Sequence, residues 1–242
     1  MSEKKVALVT GGATGIGAAC VRELAAKGFR VGIHYRTSAA AAVSLLAEIG
    51  DGFLLPADLA TIDQVDALME RLKAQTDRLD VLVNNAGVAI DADMQRMRIE
   101  QFDMQRTLLR GTWYLTKRVL RQYMLRADSG RIINISSVVG HTGNAGQIPY
   151  AMEKAAMDAL TKSLAAELRG RNILVNSVAP GFIATEMTSR LPEGVRAGIL
   201  DRIPLGRMGR PEEVAQMVGF LATAGSYITG TVIHVNGGLY GG

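Results

Sequence analysis

Cysteine is nearly absent: Cys20 is the only one in 242 residues. A single cysteine rules out an internal disulfide, and Cys20 falls in a helical pattern as a small core residue. Histidine is almost as scarce. His34, His141 and His234 lie far apart along the chain without ligand spacing, so no metal site is expected. Aromatic residues make up 5% of the chain, which leaves little for base stacking, and nucleic acid is not an expected partner. No apolar run is long enough for a spanning helix and no signal peptide is recognisable. The expectation is a cytoplasmic protein with no membrane association. Acids are sparse between residues 96 and 131, where Arg96, Arg98, Arg106, Arg110, Lys117, Arg118, Arg121, Arg126 and Arg131 are found. That run reads either as a solvated helix face or as a surface for an acidic partner.

What the chain does have is a globular composition, 48% hydrophobic with glycine and proline dispersed and no repeats or linker. Strand-like and helix-like stretches alternate. Strands are expected at 5–10, 29–33, 53–55, 79–83, 131–135, 173–178 and 231–235. Helices are expected from the first glycine turn to about Lys27, then at 38–49 with Ser38 as its cap, 61–75, 100–126, 149–169 and 211–221. Such alternation predicts one α/β domain over residues 1–242, a doubly wound (Rossmann) parallel sheet of about seven strands with helices on both faces. Residues 182–209 read as irregular, with Pro192, Gly194, Gly198, Pro204, Gly206 and Gly209 among them. A segment of that length suggests a substrate loop or lid.

Two stretches carry chemistry. GGATGIG, residues 11–17, follows the first strand and opens the first helix. Gly11, Gly15 and Gly17 let the backbone turn tightly and approach a phosphate, and the helix N-terminus offers free N–H groups to it. At the end of the second strand stand His34, Tyr35 and Arg36, with no acid to bind both ribose hydroxyls of NAD. Arg36 suits a 2′-phosphate instead, which predicts NADPH/NADP+ as cofactor. The second stretch is Ser137–Lys154. Tyr150 and Lys154 are four apart and share a helix face. An ammonium near the phenol favours the phenolate and lowers a pKa that is ordinarily about 10. Ser137, at the end of the preceding strand, offers a hydroxyl to the same substrate oxygen.

The motifs TGGATGIG (10–17), NNAG (84–87), Ser137, YAMEK (150–154), APGFIATEM (179–187) and the tail YITGTVIHVNGGLYGG (227–242) resemble the short-chain dehydrogenase/reductase family over essentially the whole chain. Within the family they are most similar to the 3-oxoacyl-[acyl-carrier-protein] reductases. The resemblance implies NADPH-dependent reduction of a 3-oxoacyl thioester, linked to acyl carrier protein or CoA, as in fatty-acid or polyketide-type synthesis. It implies that Tyr150 donates the proton, that Lys154 tunes Tyr150 and holds the nicotinamide ribose, and that Ser137 binds the substrate carbonyl. It places Gly11, Thr14, Gly15, Ile16, Gly17, Arg36, Asp58, Leu59, Asn85, Ala86, Gly87, Pro180, Gly181, Ile183 and Thr185 against the cofactor, with Asp58 at the adenine and Thr185 on the nicotinamide side. It implies a homotetramer formed through helices 100–126 and 149–169, and docking of acyl carrier protein on a basic surface that includes Arg171.

Three positions depart from the family. Thr14 stands where NADP-dependent relatives often have a base. Asp128 stands where a second carrier-docking base is usual. Leu108 replaces an asparagine that in relatives holds a water linking the lysine to solvent, and no asparagine lies between Asn85 and Asn134. Leucine cannot hold that water. Either another route returns the proton to the tyrosine, or resupply limits each cycle. The alternatives are therefore a reductase or dehydrogenase of another ketone or alcohol, or a weakly active subunit of a hetero-oligomer.

Overall fold

Short runs that are hydrophobic at nearly every position suit strands buried on both faces of a parallel sheet. In the computed structural model, which describes residues 4–185, 188 and 193–241, these runs lie side by side at the centre. The chain order is β1 (Val6–Val9), α1 (Gly15–Ala26), β2 (Arg30–Tyr35), α2 (Ala39–Ile49), β3 (Gly52–Pro56), α3 (Ile62–Gln75) and β4 (Val81–Asn84). Then come α4 (Ile99–Val119), a π-helical turn (Leu120–Met124), α5 (Leu125–Ala127), β5 (Ser129–Ile135), α6 (Val139–Thr142) and α7 (Ile148–Glu167). β6 (Asn172–Pro180), α8 (Glu193–Asp201), α9 (Pro211–Thr223) and β7 (Val232–Val235) complete it.

The seven strands form one sheet in the order β3-β2-β1-β4-β5-β6-β7. Every pairing is parallel. The expected doubly wound α/β architecture is therefore the one observed. Each face buries its own core. On one face α1, α2 and α9 pack on the sheet through Ala19, Leu24, Leu45, Val214 and Val218. On the other, α3, α4 and α7 pack through Leu68, Leu72, Leu115, Val119 and Leu164. Winding reverses between β1 and β4, so the loops leaving these strands diverge and open a crevice at their carboxyl ends.

A buried polar chain runs through the second core. Asn84 Nδ2 donates to Thr116 Oγ1 (2.9 Å) and Asn134 Oδ1 (2.9 Å). Asn134 Nδ2 donates to Thr161 Oγ1 (2.7 Å), which meets Ser177 Oγ at 2.7 Å. It ties α4 and α7 to β4, β5 and β6, so the two helices that border the crevice hold fixed positions relative to the strand ends.

Three local expectations need correction. Ser38 occupies the N-cap of α2 but makes no side-chain capping bond. The expected helix 100–126 changes to a π-turn at Leu120, where one extra residue per turn is accommodated. The segment 182–209 is not wholly irregular: α8 lies within it, despite the low helix propensity of Gly194 and Gly198. Ile199 and Ile203 anchor its C-terminal part as buried side chains. Glu186, Met187 and residues 189–192 of the segment, including Pro192, lie outside the described residues.

Candidate active site

The crevice at the β1/β4 switch point is a cleft of about 600 Å³. Gly11, Thr14, Gly15, Ile16, Gly17, Arg36, Asp58, Leu59, Asn85, Ala86, Gly87, Ser137, Tyr150, Lys154, Pro180, Gly181, Ile183 and Thr185 all line it. The structure thus brings the catalytic and cofactor-binding residues expected from the sequence to one cavity, while Arg171 lies outside it. It also adds several that sequence reading did not single out as site residues, notably His34, Ser38, Val88 and Thr188, with Leu108 on the same wall.

At one end lies the glycine turn. Gly11 and Gly15 have positive φ (59° and 53°), which an L side chain rarely adopts. Gly17 must lack a side chain for a different reason: a Cβ there would stand 2.1 Å from Gly11 O and 2.5 Å from Asn85 Nδ2. Asn85 braces the turn, its Nδ2 donating to Thr10 O (2.9 Å) and Gly11 O (3.1 Å). The Thr10 hydroxyl accepts the N–H groups of Asn85 and Ala86 (2.9 and 3.0 Å). Thr14 caps α1 without spending its side chain on the free N–H groups of the first turn. A backbone cradle without side chains, at the positive end of a helix, is what a pyrophosphate requires. By that measure the residues present fit a dinucleotide.

His34 acts behind this turn. Its Nδ1 accepts the Gly11 N–H at 3.0 Å, and its Nε2 donates to Ala57 O at 3.1 Å. That pattern needs a neutral ring with the proton on Nε2. Burial pushes the His34 pKa down to about 4. The folded value lies below the ordinary value of about 6.5, so the fold gains stability from neutral His34 above that pH. The gain, about 3 kcal/mol at most, is lost as pH falls from about 6.5 through about 4. Urea unfolding at pH 7 and pH 5 should show this loss in the wild type and a smaller one in His34→Gln. Equal pH dependence in the two proteins would remove His34 from this role. No spacing rule in the sequence flags His34, because its partner is a backbone N–H 23 residues away.

Arg36 follows β2 and is half exposed at the cleft edge, with Nη1 4.0 Å from Asp58 Oδ2. Asp58 and Leu59 stand beside it after β3, and Ser38 adds a hydroxyl to the same corner.

At the other end, Ser137 leaves β5 only 7% exposed, and its Oγ accepts the Val139 N–H at 3.2 Å. The Ser137 O–H is therefore left to donate into the cleft. Pro149 opens α7, which carries Tyr150 and Lys154. Lys154 Nζ sits 5.4 Å from the centre of the Tyr150 ring and donates to Ile135 O at 3.2 Å. Gly87 faces this ammonium: a Cβ on it would lie 3.2 Å from Nζ. Thr185, beyond β6, reaches across to the start of α1, where a Cβ on Gly15 would meet its methyl at 3.6 Å. Leu108 is buried in the wall, presenting no polar atom to the cleft.

Away from the cleft, two histidines distant in sequence meet. The His141 and His234 rings are 4.8 Å apart and both touch Tyr240, while His141 Nε2 lies 2.9 Å from Asp158 Oδ2. Among the described residues no group of three His, Cys, Asp or Glu could hold a metal. No described helix is long and apolar enough to cross a membrane. Four of the nine basic residues named between 96 and 131 have local partners. Arg118 pairs with Asp66, Arg96 and Arg106 lie 3.8 and 3.7 Å from Asp93 and Asp103, and Arg131 donates to the Gly130 and Asn172 carbonyls. Arg171 Nη1 meets Asp128 Oδ1 at 3.1 Å, so the base and acid that sequence reading contrasted are partners.

The family model described as enoyl-(acyl carrier protein) reductase matches residues 11–240. A 3-oxoacyl-[acyl-carrier-protein] reductase of Haemophilus influenzae is 45% identical over 240 residues, 98% of each chain. One from Escherichia coli is 45% identical over 242 residues, again 98% of each chain. One from Synechocystis is 46% identical over 242 residues, 97% of this chain and 96% of that one.

Proposed function

The chain belongs to the short-chain dehydrogenase/reductase family, and we propose that it is a cytoplasmic enzyme that reduces 3-oxoacyl thioesters to 3-hydroxyacyl thioesters with NADPH, through Ser137, Tyr150 and Lys154. The observation that carries this reading is that those three side chains and the glycine turn line one cleft, with Lys154 beside the Tyr150 ring. The likeness to 3-oxoacyl-[acyl-carrier-protein] reductases extends end to end, and it favours neither another ketone substrate nor a weakly active partner subunit.

The residues take defined parts. The 11–17 turn and the start of α1 would hold the pyrophosphate, Arg36 the 2′-phosphate, and Asp58 and Leu59 the adenine end. Asn85, Ala86, Gly87, Lys154, Pro180, Gly181, Ile183 and Thr185 would border the nicotinamide end. Bound there, NADPH supplies the hydride that the carbonyl carbon receives. Ser137 donates a hydrogen bond to the carbonyl oxygen and fixes its position. Tyr150 gives its hydroxyl proton to that oxygen as charge develops on it. Lys154, beside the ring, stabilises the phenolate left behind. The segment 182–209 serves as the substrate loop.

Assembly through α4 and α7 as a homotetramer is part of the proposal. It is supported by apolar side chains left exposed on these helices, Met104 and Trp113 on α4 and Ile148 and Met152 on α7. A carrier protein would meet a surface that includes Arg171, whose charge is shared with Asp128.

Following NADPH oxidation by the purified protein alone, on acetoacetyl thioesters of CoA and of acyl carrier protein, tests the reading. Turnover of both is expected. Turnover of simple ketones without any of the thioesters would overturn it. Cofactor choice has its own test. A charge-assisted contact is worth about 1.5–3 kcal/mol, so Arg36→Ala should weaken NADPH by about tenfold to a hundredfold and leave NADH nearly unchanged. Titration of both cofactors would show it. Unchanged NADPH affinity would move the 2′-phosphate elsewhere.

A further inference from the structure

Each reduction removes one proton from Tyr150, and that proton must be replaced inside a wall that is largely closed. Lys154 is 4% exposed and the neighbouring Leu108 has no polar atom. Yet the same wall contains an ionisable group that the reaction as described does not use. Glu153 is 5% exposed, which is unusual for a carboxylate, since burying one is costly unless it is paired. Its Oε1 lies 3.5 Å from Lys154 Nζ. Its Oε2 lies 3.5 Å from Gln105 Nε2, which also donates to Val88 O at 2.8 Å. Gln105 is 1% exposed, one helical turn before Leu108 on α4, and its Oε1 is buried without a partner. Lys154 thus stands between the Tyr150 ring and Glu153, and Glu153 between Lys154 and Gln105, on the turn of α4 before Leu108.

We propose that Glu153 is the group that returns protons to Lys154, with Gln105 holding its carboxyl in place between α4 and α7. The inference rests on the reductase reading above. The proton balance is simple. The Tyr150 O–H bond breaks as the substrate oxygen takes the proton. The phenolate regains a proton from the Lys154 ammonium, and the amine regains one from the Glu153 carboxyl. Glu153, whose side chain keeps 5% of its surface open, then takes from solvent the single proton that reduction by NADPH consumes.

The surroundings of Glu153 suit the task. Burial raises its pKa, and this outweighs Lys154 and Gln105, which both lower it. A carboxyl that holds its proton to higher pH than an exposed glutamate is a better donor near neutrality. Lys154 on α7 is the charge that acts on it, α4 presents the uncharged Gln105, and β5 presents the Ile135 carbonyl to Lys154. Glu153 is therefore a positioning and relay residue, acting on the substrate only through Lys154 and Tyr150.

The test uses full-length protein carrying Glu153→Gln, which keeps the shape and the hydrogen bond but cannot cycle a proton, and Glu153→Asp, which restores a carboxyl. With NADPH and acetoacetyl-CoA, Glu153→Gln should lose about tenfold or more in kcat. The loss should be greatest near neutrality and shrink at alkaline pH, where the wild-type carboxyl has also given up its proton, come with a larger solvent deuterium isotope effect, and leave NADPH affinity within about twofold. Glu153→Asp should recover part of the turnover. A second readout needs no turnover: near-ultraviolet titration of the Tyr150 phenol in the NADP+ complex, taken as the difference from Tyr150→Phe. Above neutrality the carboxyl has given up its proton, so Glu153→Gln removes a negative charge beside Lys154 and the midpoint should move to lower pH. An unmoved midpoint overturns the proposal, and so does a kcat profile that superimposes on wild type. A wild type with no activity on thioesters would sink the reductase reading alone, since the titration still judges Glu153.

Discussion

Tyr150→Phe lowers kcat for a 3-oxoacyl thioester by about 10²–10⁴, the range that a positioned general acid contributes. The substitution deletes one oxygen from a side chain at the cleft and leaves the ring beside Lys154 Nζ, so packing changes little. NADPH affinity should stay within about twofold, because the backbone cradle at 11–17 and Arg36 lie at the other end of the cleft. Stopped-flow turnover and cofactor fluorescence, measured on one preparation, separate the two effects. A loss expressed in KM at constant kcat would mean that Tyr150 binds substrate and that another group supplies the proton.

Gly111→Ala should be the most destabilising single-methyl change outside the cleft. Gly111 lies inside α4, where alanine ordinarily improves a helix by about 1 kcal/mol. Here an added Cβ would stand 1.7 Å from the Leu59 carbonyl oxygen and 2.7 Å from its carbon, so the helix rests directly on the backbone that follows β3. Neither backbone can give way as a flexible side chain would. We expect about 3 kcal/mol of lost stability, at the upper end for overpacking. NADPH should weaken as well, since Leu59 belongs to the cleft wall. Gly198→Ala is the control. No described residue lies within 4 Å of a Cβ at Gly198 in α8, so ordinary propensity should prevail and stability should hold or rise slightly. Equal melting shifts for the two variants would show that the contact with Leu59 is not limiting.

Much of this was legible from the residues because their signals are local. The stretches at 5–10 and 131–135 are short and rich in β-branched residues, which suits buried strands, and the strand, glycine turn and helix follow in order over 5–27. Tyr150 and Lys154 were legible because four residues is one helical turn. Less legible was whatever depends on contacts across the fold. His34 looks like a strand residue until Gly11 is found against its Nδ1. Glu153 looks like an exposed position between Tyr150 and the next turn until α4 is laid over it with Gln105. His141 and His234 are 93 positions apart by number, and only the approach of α6 to β7 makes them neighbours. Helix α8 was hidden by its glycines, whose propensity cost is outweighed by the burial of Ile199.

One small pairing has a consequence for how such enzymes can be altered. Ile183 and Gly209 form a parallel bridge, with Ala184 N–H donating to Gly209 O (2.8 Å) and Gly209 N–H to Phe182 O (2.9 Å). Of the described residues between them, Leu205 and Arg207 also reach back to Gly237 and Glu213, while Lys154 and Ser137 hang from elements outside the stretch. Closing a loop costs only about 0.6 kcal/mol more for each doubling of its length. The stretch from 184 to 208 can therefore be exchanged, longer or shorter, between chains that keep the bridge, the Leu205 and Arg207 contacts and the buried Ile199 and Ile203. Grafting that stretch from a relative of different chain-length preference should carry the preference with it and leave the proton-transfer groups untouched.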